Sequence, residues 1–349
     1  MSKWMFIVRQ GRGSKKIRRR ITLSLAFLMG LVMAGAFAAA ALGETSPPAS
    51  SRHVLVISVD GLGGSLYTAP RPQVRIPNLR RFMEEGSYAE GVVGVYPSVT
   101  YPSHTTLVTG RLPAQHGIYS NLSSREAGKN PDDWFWFTSS IKVPTVWDEA
   151  RRAELTSASV SWPVTVGAAI DWNLPEIWEP KSGSYFDAAF VAKYATPGLM
   201  EETMTAVGPA QPGENNDKLR TRIVAYLLKK YRPNLTLIHL DSLDHDQHEA
   251  GPGSATAMAT LEMMDSLIGE LLAGVKDAGL EDSTDVFVVS DHGFLPVERT
   301  IQPNVLLAKA GLLETDDQGR VTGGKLATLA SGGSFFIYWP ETQDLRREV

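Results

Sequence analysis

Acidic residues and histidines follow three separate apolar runs of the sequence. Val54 to Val59 ends in Asp60-Gly61, Leu235 to Leu240 leads into Asp241 to His248, and Val286 to Ser290 ends in Asp291-His292-Gly293. In an open α/β sheet the carboxyl ends of parallel strands face one crevice, so three such runs would aim their acids at the same place. A single aspartate after a strand is as often a turn former as a ligand. Three together, two of them with histidine at ligand spacing, predict an active site.

A loop rich in hydroxyl groups, Tyr96 to Thr105, precedes a short predicted helix, Thr105 to Gly110. A hydroxyl at a helix N-terminus meets backbone N–H groups and the positive end of the helix dipole, which favours an anion and a partly deprotonated nucleophile. Capping is the commoner role of Ser and Thr at such positions. On this local pattern alone, capping is the preferred interpretation.

The sequence contains no cysteine. This excludes disulfides, thiolate metal sites and cysteine nucleophiles together. Any metal ion must therefore be held by nitrogen and oxygen ligands, which are the donors that the three strand-end motifs offer.

The N-terminal segment is basic and then apolar. Residues 1–20 contain eight basic residues, and no acid occurs before Glu44; an apolar stretch, Ile21 to Leu42, ends in small residues. This pattern predicts a signal peptide or a signal anchor over 1–43, because the apolar stretch is also nearly long enough to cross a bilayer. Residues 44–51 are interpreted as a linker. We expect an exported protein, periplasmic or extracellular, with the membrane reached only through an uncleaved N-terminal segment.

Removal of residues 1–43 leaves 26 basic and 38 acidic residues, a formal charge of −12. Such a surface repels long polyanions, so binding of a nucleic-acid polymer is not expected. Small phosphate esters remain possible substrates if metal ions supply positive charge.

Strands alternate with helices along the rest of the chain. Further strands are predicted over 89–96 and 156–160, and helices over 76–85, 146–152, 216–230 and 255–278. This alternation predicts a three-layer α/β/α sandwich with a mostly parallel central sheet. The aromatic, Pro- and Gly-rich segments 123–140 and 171–198 are interpreted as loop insertions over the catalytic face. Their tryptophans could form a substrate wall, although packing of the insertions is the preferred role.

Five ordered motifs give the chain a resemblance to a known family. They are VLVISVDG at 54–61, YPSVTYPSHTTLVTG at 96–110, HGIYSN at 116–121, LDHDQHEAGP at 243–252 and VVSDHG at 288–293. In this order they resemble the alkaline phosphatase superfamily, and within it the type I phosphodiesterase/nucleotide pyrophosphatase (autotaxin-like) family. DHG alone is a weak signal, whereas the ordered set is specific and covers essentially everything from residue 52 onward.

The resemblance implies a role for each site residue. It assigns Asp60, Thr100, Asp291 and His292 to one metal ion, Asp244 and His248 to a second, and Asn121 to a phosphoryl oxygen. Thr100 also matches the nucleophile, so the implied reaction passes through a phosphothreonine. The implied cofactors are two divalent ions, with zinc expected because His and carboxylate ligands suit it. Paired metals about 4 Å apart stabilise the attacking and leaving oxygens of an in-line displacement.

Other polar residues near the motifs are given structural roles. His53, His104, His116 and His239 are assigned to packing or to hydrogen bonds behind the site rather than to the metals. Asp241 and His245 lie close to the site but outside the family's spacing. Asp241 is the reserve ligand if the assigned register is wrong.

The family supplies a third ligand to the second metal from a late His-Gly motif, and this sequence has no histidine after His292. We therefore expect the alkaline-phosphatase-like domain, 52–349, to be incomplete at its C-terminus. Alternatively, a substitute ligand completes the second metal site, or the second ion binds weakly.

The expected function is hydrolysis of phosphodiester or pyrophosphate bonds in nucleotides or similar small phosphate esters by a two-metal enzyme. The alternatives are a phosphomonoesterase on the same scaffold, or a catalytically weak or binding-only member of the family. A sulfatase is disfavoured because the nucleophile position carries Thr100 and no cysteine can supply a formylglycine.

Overall fold

The computed structural model of the chain describes residues 52–69, 71, 73–123, 134–178 and 186–339, together with the backbone of 3–4 and 6–9. Apart from those backbone positions, the predicted signal or anchor segment 1–43 and the linker 44–51 lie outside the described residues, as do 124–133 and 179–185 of the two predicted insertions.

Strands and helices alternate through the described chain. The strands are β1 (Lys3–Trp4), β2 (Phe6–Arg9), β3 (His53–Val59), β4 (Ser87–Tyr88), β5 (Val92–Val93), β6 (Ser157–Val160), β7 (Trp172–Leu174), β8 (Leu235–Leu240), β9 (Thr284–Val289), β10 (Leu313–Thr315), β11 (Val321–Gly324), β12 (Ala327–Ser331) and β13 (Ser334–Tyr338). The helices are α1 (Gly64–Thr68), α2 (Pro77–Glu85), α3 (Thr100–Thr109), α4 (Pro113–His116), α5 (Val146–Arg152), α6 (Ala188–Val191), α7 (Leu199–Val207), α8 (Asn216–Tyr231), α9 (Ser242–Ala250), α10 (Ala255–Asp277) and α11 (Pro303–Lys309).

Among the described residues, the central sheet has seven strands in the order β4-β2-β9-β3-β8-β6-β7. The pairings within β9-β3-β8-β6-β7 are parallel, whereas β2 pairs antiparallel with both β9 and β4. The prediction of a mostly parallel central sheet with helices around it is confirmed. Three antiparallel pairs, β1-β5, β10-β11 and β12-β13, lie outside this sheet.

Successive side chains of the central strands point to opposite faces of the sheet. On β3, Leu55, Ile57 and Val59 enter the larger apolar core, which also contains Ile223 of α8 and Leu267 of α10. Side chains on the opposite face of the sheet enter a smaller core. There, Leu237 of β8 and Val289 of β9 pack with Val108 of α3 and Trp147 of α5. The sheet is therefore covered by helices on both faces, as the alternation of elements predicts.

Local signals place the long helices as predicted. Asn215 caps α8 by accepting a hydrogen bond from the Asp217 N–H at 2.7 Å, and Ser254 caps α10 through the Ala257 N–H. The N-terminus of α2 is capped instead by a distant residue, because the buried carboxylate of Asp265 accepts hydrogen bonds from the N–H groups of Asn78 and Leu79. Such side-chain acceptors satisfy N–H groups that have no partner inside the helix.

Three predicted elements differ from the structure. The segment 89–96 contains only the two-residue strand β5, and the helix expected at Thr105 begins at Thr100. Pro102 lies in the first turn of α3, where a missing N–H costs nothing, so the proline does not delay the helix. The segment 171–198, expected to be loop, contains β7 and α6; β7 adds a parallel edge strand beside β6.

An apolar cavity of about 660 Å³ lies between the sheet and helices α3 and α5. Its walls include Val54, Leu235 and Phe287 from three neighbouring strands. None of the helices in the described ranges combines the length and apolar character needed to cross a bilayer.

Candidate active site

The three acid-bearing strands end at the same level of the sheet. Ser58 of β3 is in register with His239 of β8 on one side and with Val289 of β9 on the other. Two residues further along each strand are Asp60, Asp241 and Asp291. The predicted convergence of the strand-end acids is therefore present in the structure.

His292 lies at the centre of the converging groups. Its Nε2 atom is 3.3 Å from Oδ2 of Asp291, 3.4 Å from Oδ1 of Asp60 and 3.8 Å from Oδ1 of Asp244. None of these three oxygens accepts a hydrogen bond from the described residues. One ligand atom each of Asp60, Asp244 and His292 lies within 4.8 Å of the other two. We call Asp60, Asp244, Asp291 and His292 the acidic cluster.

The acidic cluster holds several buried carboxyl groups close together, and a bound cation would offset the repulsion between their negative charges. Burial, followed by the neighbouring charges of Asp291 and Asp244, raises the pKa of Asp60 well above its ordinary value. Burial also raises the pKa of Asp244. For Asp291, burial raises the pKa, but this is outweighed chiefly by His292, and the pKa falls to about 2. A buried carboxylate oxygen that receives no hydrogen bond is costly unless it is paired or coordinated, so the three such oxygens of this cluster fit a bound divalent cation.

Asp244 lies between the two predicted metal sites. Its Oδ1 faces His292, and its Oδ2 is 3.5 Å from Nε2 of His248, one turn further along α9. The side chain of His248 is 66% exposed and packs edge-on against Phe294 at 4.7 Å between ring centroids. The spacing of Asp244 and His248 therefore places both on one face of α9, with His248 on the solvent side.

The first turn of α3 is tied to the acidic cluster through His104. Nδ1 of His104 is 2.9 Å from the Thr100 carbonyl oxygen and 3.7 Å from Oδ2 of Asp291, and its Nε2 is 2.8 Å from the Ser58 hydroxyl. Burial and the proximity of His239 lower the pKa of His104 to about 3, so its ring is neutral. His104 thus lies behind the site, as predicted, and holds the backbone of half-buried Thr100 beside Asp291.

The hydroxyl groups near Thr100 differ in accessibility. Ser98 is exposed in the preceding loop, whereas Ser103 is fully buried in α3. A substrate could reach Thr100 or Ser98 but not Ser103 in this conformation. Thr100 is the one of the two that lies within the helix turn held by His104.

Asn121 is oriented by α3. Its Oδ1 accepts a hydrogen bond of 2.9 Å from the Tyr101 N–H. A backbone N–H can only donate, so this contact fixes which end of the amide is oxygen. The Nδ2 donor group therefore points away from the Tyr101 N–H.

A buried chain of hydrogen bonds runs behind Asp60. Nε2 of His239 is 3.0 Å from Oδ2 of Asp60, and Nδ1 of His239 is 2.6 Å from Oε2 of Glu176. Glu176 accepts a further hydrogen bond of 2.8 Å from the Tyr101 hydroxyl through Oε1. Burial opposes protonation of His239, but the charges of Glu176 and Asp60 raise its pKa well above its ordinary value.

Sequence reasoning missed Glu176 and Gln247. Gln247 donates from Nε2 to the Gly61 carbonyl oxygen at 3.0 Å and so ties α9 to the turn after β3. Gly61 has a φ of +72°, and a Cβ there would meet Gln247 and Phe294 at under 3 Å. Glu176 is a single acid within an aromatic segment that shows no periodicity, so no spacing signal marks it. The available signal for Gln247 is its position between Asp244 and His248 on α9, the helix that the sequence already places at the site.

The reserve ligand Asp241 is engaged elsewhere. Its Oδ2 is 2.8 Å from Nη1 of Arg220, a fully buried guanidinium that also contacts Asp217 at 2.8 Å. Burial would raise the pKa of Asp241, but Arg220 lowers it. Asp241 thus balances a buried cation, and the exposed His245 belongs to no metal-binding group among the described residues.

Aromatic side chains of the two insertions pack against one another beside α3. Trp178 lies edge-on to Trp134 at 4.7 Å and to Trp136 at 4.4 Å, and Tyr101 contacts both Trp134 and Trp136. Trp172 instead stacks on Tyr231, away from this group. Mutual packing, the preferred role of these tryptophans, accounts for the contacts.

Comparison with curated proteins finds pyrophosphatase/phosphodiesterase relatives. Rat ectonucleotide pyrophosphatase/phosphodiesterase family member 1 is 28% identical over 231 residues, which cover 62% of this chain and 21% of the rat protein. An uncharacterised pyrophosphatase/phosphodiesterase of Schizosaccharomyces pombe is 28% identical over 258 residues, covering 70% of this chain and 45% of the yeast protein. The chain thus spans less than half the length of these relatives.

Solved structures share the fold. An inactive form of murine ectonucleotide pyrophosphatase/phosphodiesterase 5, in complex with AMP, has a TM-score of 0.58 at 19% identity, over 84% of this chain and 68% of the murine chain. Phosphonoacetate hydrolase from Sinorhizobium meliloti 1021, in complex with phosphonoacetate, has a TM-score of 0.60 at 19% identity, over 86% of this chain and 72% of that chain. At this identity the likeness establishes an alkaline-phosphatase-like fold.

The family model for type I phosphodiesterase / nucleotide pyrophosphatase matches residues 54–345, a range that contains every residue of the acidic cluster as well as Thr100 and Asn121. The chain therefore belongs to the type I phosphodiesterase/nucleotide pyrophosphatase family.

Proposed function

We propose that this protein is a metal-dependent hydrolase that cleaves phosphodiester or pyrophosphate bonds of nucleotides or similar small phosphate esters. The observation that carries this proposal is the acidic cluster. Around Nε2 of His292 lie three buried carboxylate oxygens that receive no hydrogen bond from the described part of the chain, next to the helix turn that begins at Thr100. Family membership and the names of the relatives support the same reaction class.

The residues divide into two proposed ligand sets. Asp60, Thr100, Asp291 and His292 would hold one ion, and Asp244 and His248 would hold a second. The nitrogen and oxygen donors of these residues suit zinc. When bound, such ions supply positive charge to the attacking and leaving oxygens of an in-line displacement.

In the proposed reaction Thr100 attacks phosphorus. The bond from its Oγ1 to phosphorus forms, with loss of the hydroxyl proton to solvent, as the bond from phosphorus to the leaving oxygen breaks. This gives a phosphothreonine and releases the first product, whose oxygen takes up a proton from solvent. Water then attacks the phosphothreonine, releases the phosphorylated second product and restores the hydroxyl. The Nδ2 group of Asn121 donates to a phosphoryl oxygen whose charge grows during each step.

The proposed substrate is small, and the proposed location is outside the cytoplasm. A formal charge of −12 beyond residue 43 disfavours polyanionic polymers. The basic and then apolar N-terminal segment and the ectonucleotide relatives support export, with the segment 1–43 acting as signal peptide or anchor.

The decisive experiment compares two chromogenic esters on zinc-loaded protein. A nitrophenyl ester of a nucleoside monophosphate has a diester phosphorus, and nitrophenyl phosphate has a monoester phosphorus. We expect kcat/KM for the diester to exceed that for the monoester by at least about 10²-fold, a difference of about 2.7 kcal/mol. Preference for the monoester would indicate a phosphomonoesterase, and turnover of neither ester despite bound zinc would indicate a binding-only member of the family.

A further inference from the structure

The two oxygens of the Asp60 carboxylate have different surroundings. Oδ1 faces Nε2 of His292 and receives no hydrogen bond from the described residues, whereas Oδ2 is 3.0 Å from Nε2 of His239. A carboxylate that is free to rotate could present either oxygen to a metal. The contact with His239 selects Oδ1 for the acidic cluster and holds Oδ2 behind it.

The ring of His239 is itself fixed. Nδ1 lies 2.6 Å from Glu176, and the ring packs edge-on against His104 at 4.4 Å between centroids. Both His239 and Glu176 are buried. Rotation of the imidazole would break its contacts with both carboxylates at once, so Glu176 determines the direction in which His239 meets Asp60.

Glu176 is held in turn by the residue that follows the proposed nucleophile. The Tyr101 hydroxyl donates to its Oε1 at 2.8 Å, while the Tyr101 N–H donates to Oδ1 of Asn121 at 2.9 Å. One continuous chain of contacts therefore joins Asn121, Tyr101, Glu176, His239 and Asp60. The chain connects Asn121, the proposed hydrogen-bond donor to a phosphoryl oxygen, with Asp60, a proposed metal ligand, through the interior of the protein.

We propose that Glu176, acting through His239, is a positioning residue that holds Asp60 in the orientation required to bind metal. This inference rests on the metal site of the proposed function. Partners behind metal ligands typically contribute a factor of about 10 to 100 in metal affinity, because they fix the direction of the ligand atom.

The test measures zinc affinity by competition with a chelator, using the full chain freed of metal. Glu176→Ala should weaken zinc binding by about 10- to 100-fold. Glu176→Gln retains an acceptor for the His239 N–H and should recover most of this loss. Tyr101→Phe removes only the hydroxyl that holds Glu176. Because Tyr101 is one contact further from the metal ligand, this variant should weaken zinc binding less than Glu176→Ala does, but measurably.

Asp265→Ala is the matched control. Asp265 is also a buried carboxylate with several hydrogen bonds, but it caps α2. This variant should lower the urea midpoint of unfolding and leave zinc affinity unchanged. A network that only stabilised the fold would make Glu176→Ala behave in the same way, which separates a positioning role from a structural one.

Zinc affinity within twofold of the unaltered chain in both Glu176→Ala and Tyr101→Phe would overturn the inference. If Glu176→Ala does not fold, Tyr101→Phe decides alone by the same criterion. Asp60→Ala shows which proposal has failed: strong loss of zinc in this variant with no effect of Glu176→Ala would reject the positioning role only. Unchanged zinc affinity in Asp60→Ala would reject the metal site and the proposed function with it.

Discussion

The backbone N–H of Tyr101 donates a hydrogen bond of 2.9 Å to Oδ1 of Asn121. The donor belongs to the residue directly after Thr100. The side-chain amide of Asn121 is therefore held by the same helix turn that carries the proposed nucleophile. The two groups proposed to contact phosphorus and its oxygens are therefore held by one short segment of backbone, although 20 residues of sequence separate Asn121 from the donor.

This contact predicts distinct effects for two substitutions of Asn121. Asn121→Asp keeps an acceptor for the Tyr101 N–H but removes the Nδ2 donor, and Asn121→Ala removes both. Each should lower kcat by about 10²-fold or more, as for other lost transition-state donors, while zinc content is unchanged. Steady-state kinetics with a metal assay checks this. A structural asparagine would instead give normal kcat in Asn121→Asp and loss of folding in Asn121→Ala.

The nucleophile assignment predicts that Thr100→Ala loses nearly all turnover and that Thr100→Ser keeps a measurable part. Loss of a covalent nucleophile removes several orders of magnitude in turnover. The N-cap position of α3 is Val99 and makes no side-chain capping hydrogen bond, so Thr100→Ala removes no helix cap, and the capping role preferred from the local sequence pattern does not apply to Thr100. Ser98→Ala, which alters an exposed hydroxyl in the preceding loop, is the control and should keep normal kcat. Near-normal kcat in Thr100→Ala would reject the assignment.

The strand-end part of the site could be predicted from sequence because local patterns determine it. Continuous apolar runs mark buried parallel strands, and Asp60 and Asp291 follow such runs directly. The register of β3 with β8 and β9 then places these acids at one level. The spacing of Asp244 and His248 on α9 is likewise a local property of a helix.

The supporting contacts could not be predicted because they join residues that are distant in sequence. Glu176 meets His239 across 63 positions and Tyr101 across 75. No local pattern encodes such a contact. The start of α3 differs from the prediction for a different reason: prolines at 97 and 102 suggest a loop, but Pro102 falls in the first turn of the helix, where proline is tolerated.

The register of the metal ligands is tested by comparing Asp291→Ala with Asp241→Asn. Asp291→Ala should abolish zinc retention at the acidic cluster together with activity, because it removes a ligand oxygen beside His292. Asp241→Asn should keep zinc but lower the free energy of unfolding by about 1–3 kcal/mol, since it weakens the pairing of buried Arg220. Equal loss of zinc in both variants would show that the wrong acidic residues have been assigned as metal ligands.

A pH dependence of stability is expected from His116. Its Nδ1 accepts a hydrogen bond of 3.1 Å from the Ile118 N–H, and burial lowers its pKa to about 4 from an ordinary value of 6.5. Between these values the unfolded chain binds a proton that the folded protein does not, so stability falls as the pH is lowered from 6.5 towards 4, by at most about 1.4 kcal/mol per pH unit.

The matched variant is His116→Asn, which keeps an acceptor near the Nδ1 position and cannot be protonated. Urea unfolding at pH 7.5 and pH 5 should show that the unaltered protein loses about 1–2 kcal/mol more stability than the variant over this interval. Equal losses in the two proteins would mean that His116 is not the group responsible. Both proteins contain the same carboxylates, so comparing the change in stability between the two pH values in each protein cancels the contribution of those groups.

The last prediction concerns the two metal ions. Four proposed ligands, Asp60, Thr100, Asp291 and His292, are enough to close a tetrahedral shell, whereas the second ion has only Asp244 and His248 among the described residues, and His248 is 66% exposed. The second ion should therefore bind far more weakly. Protein purified without added metal is expected to carry close to one zinc ion per chain and to gain activity as zinc is added. Elemental analysis beside a zinc titration of kcat checks this. Two tightly held ions and full activity before any addition would contradict it, and would indicate that Asp241, His245 or another residue completes the second site.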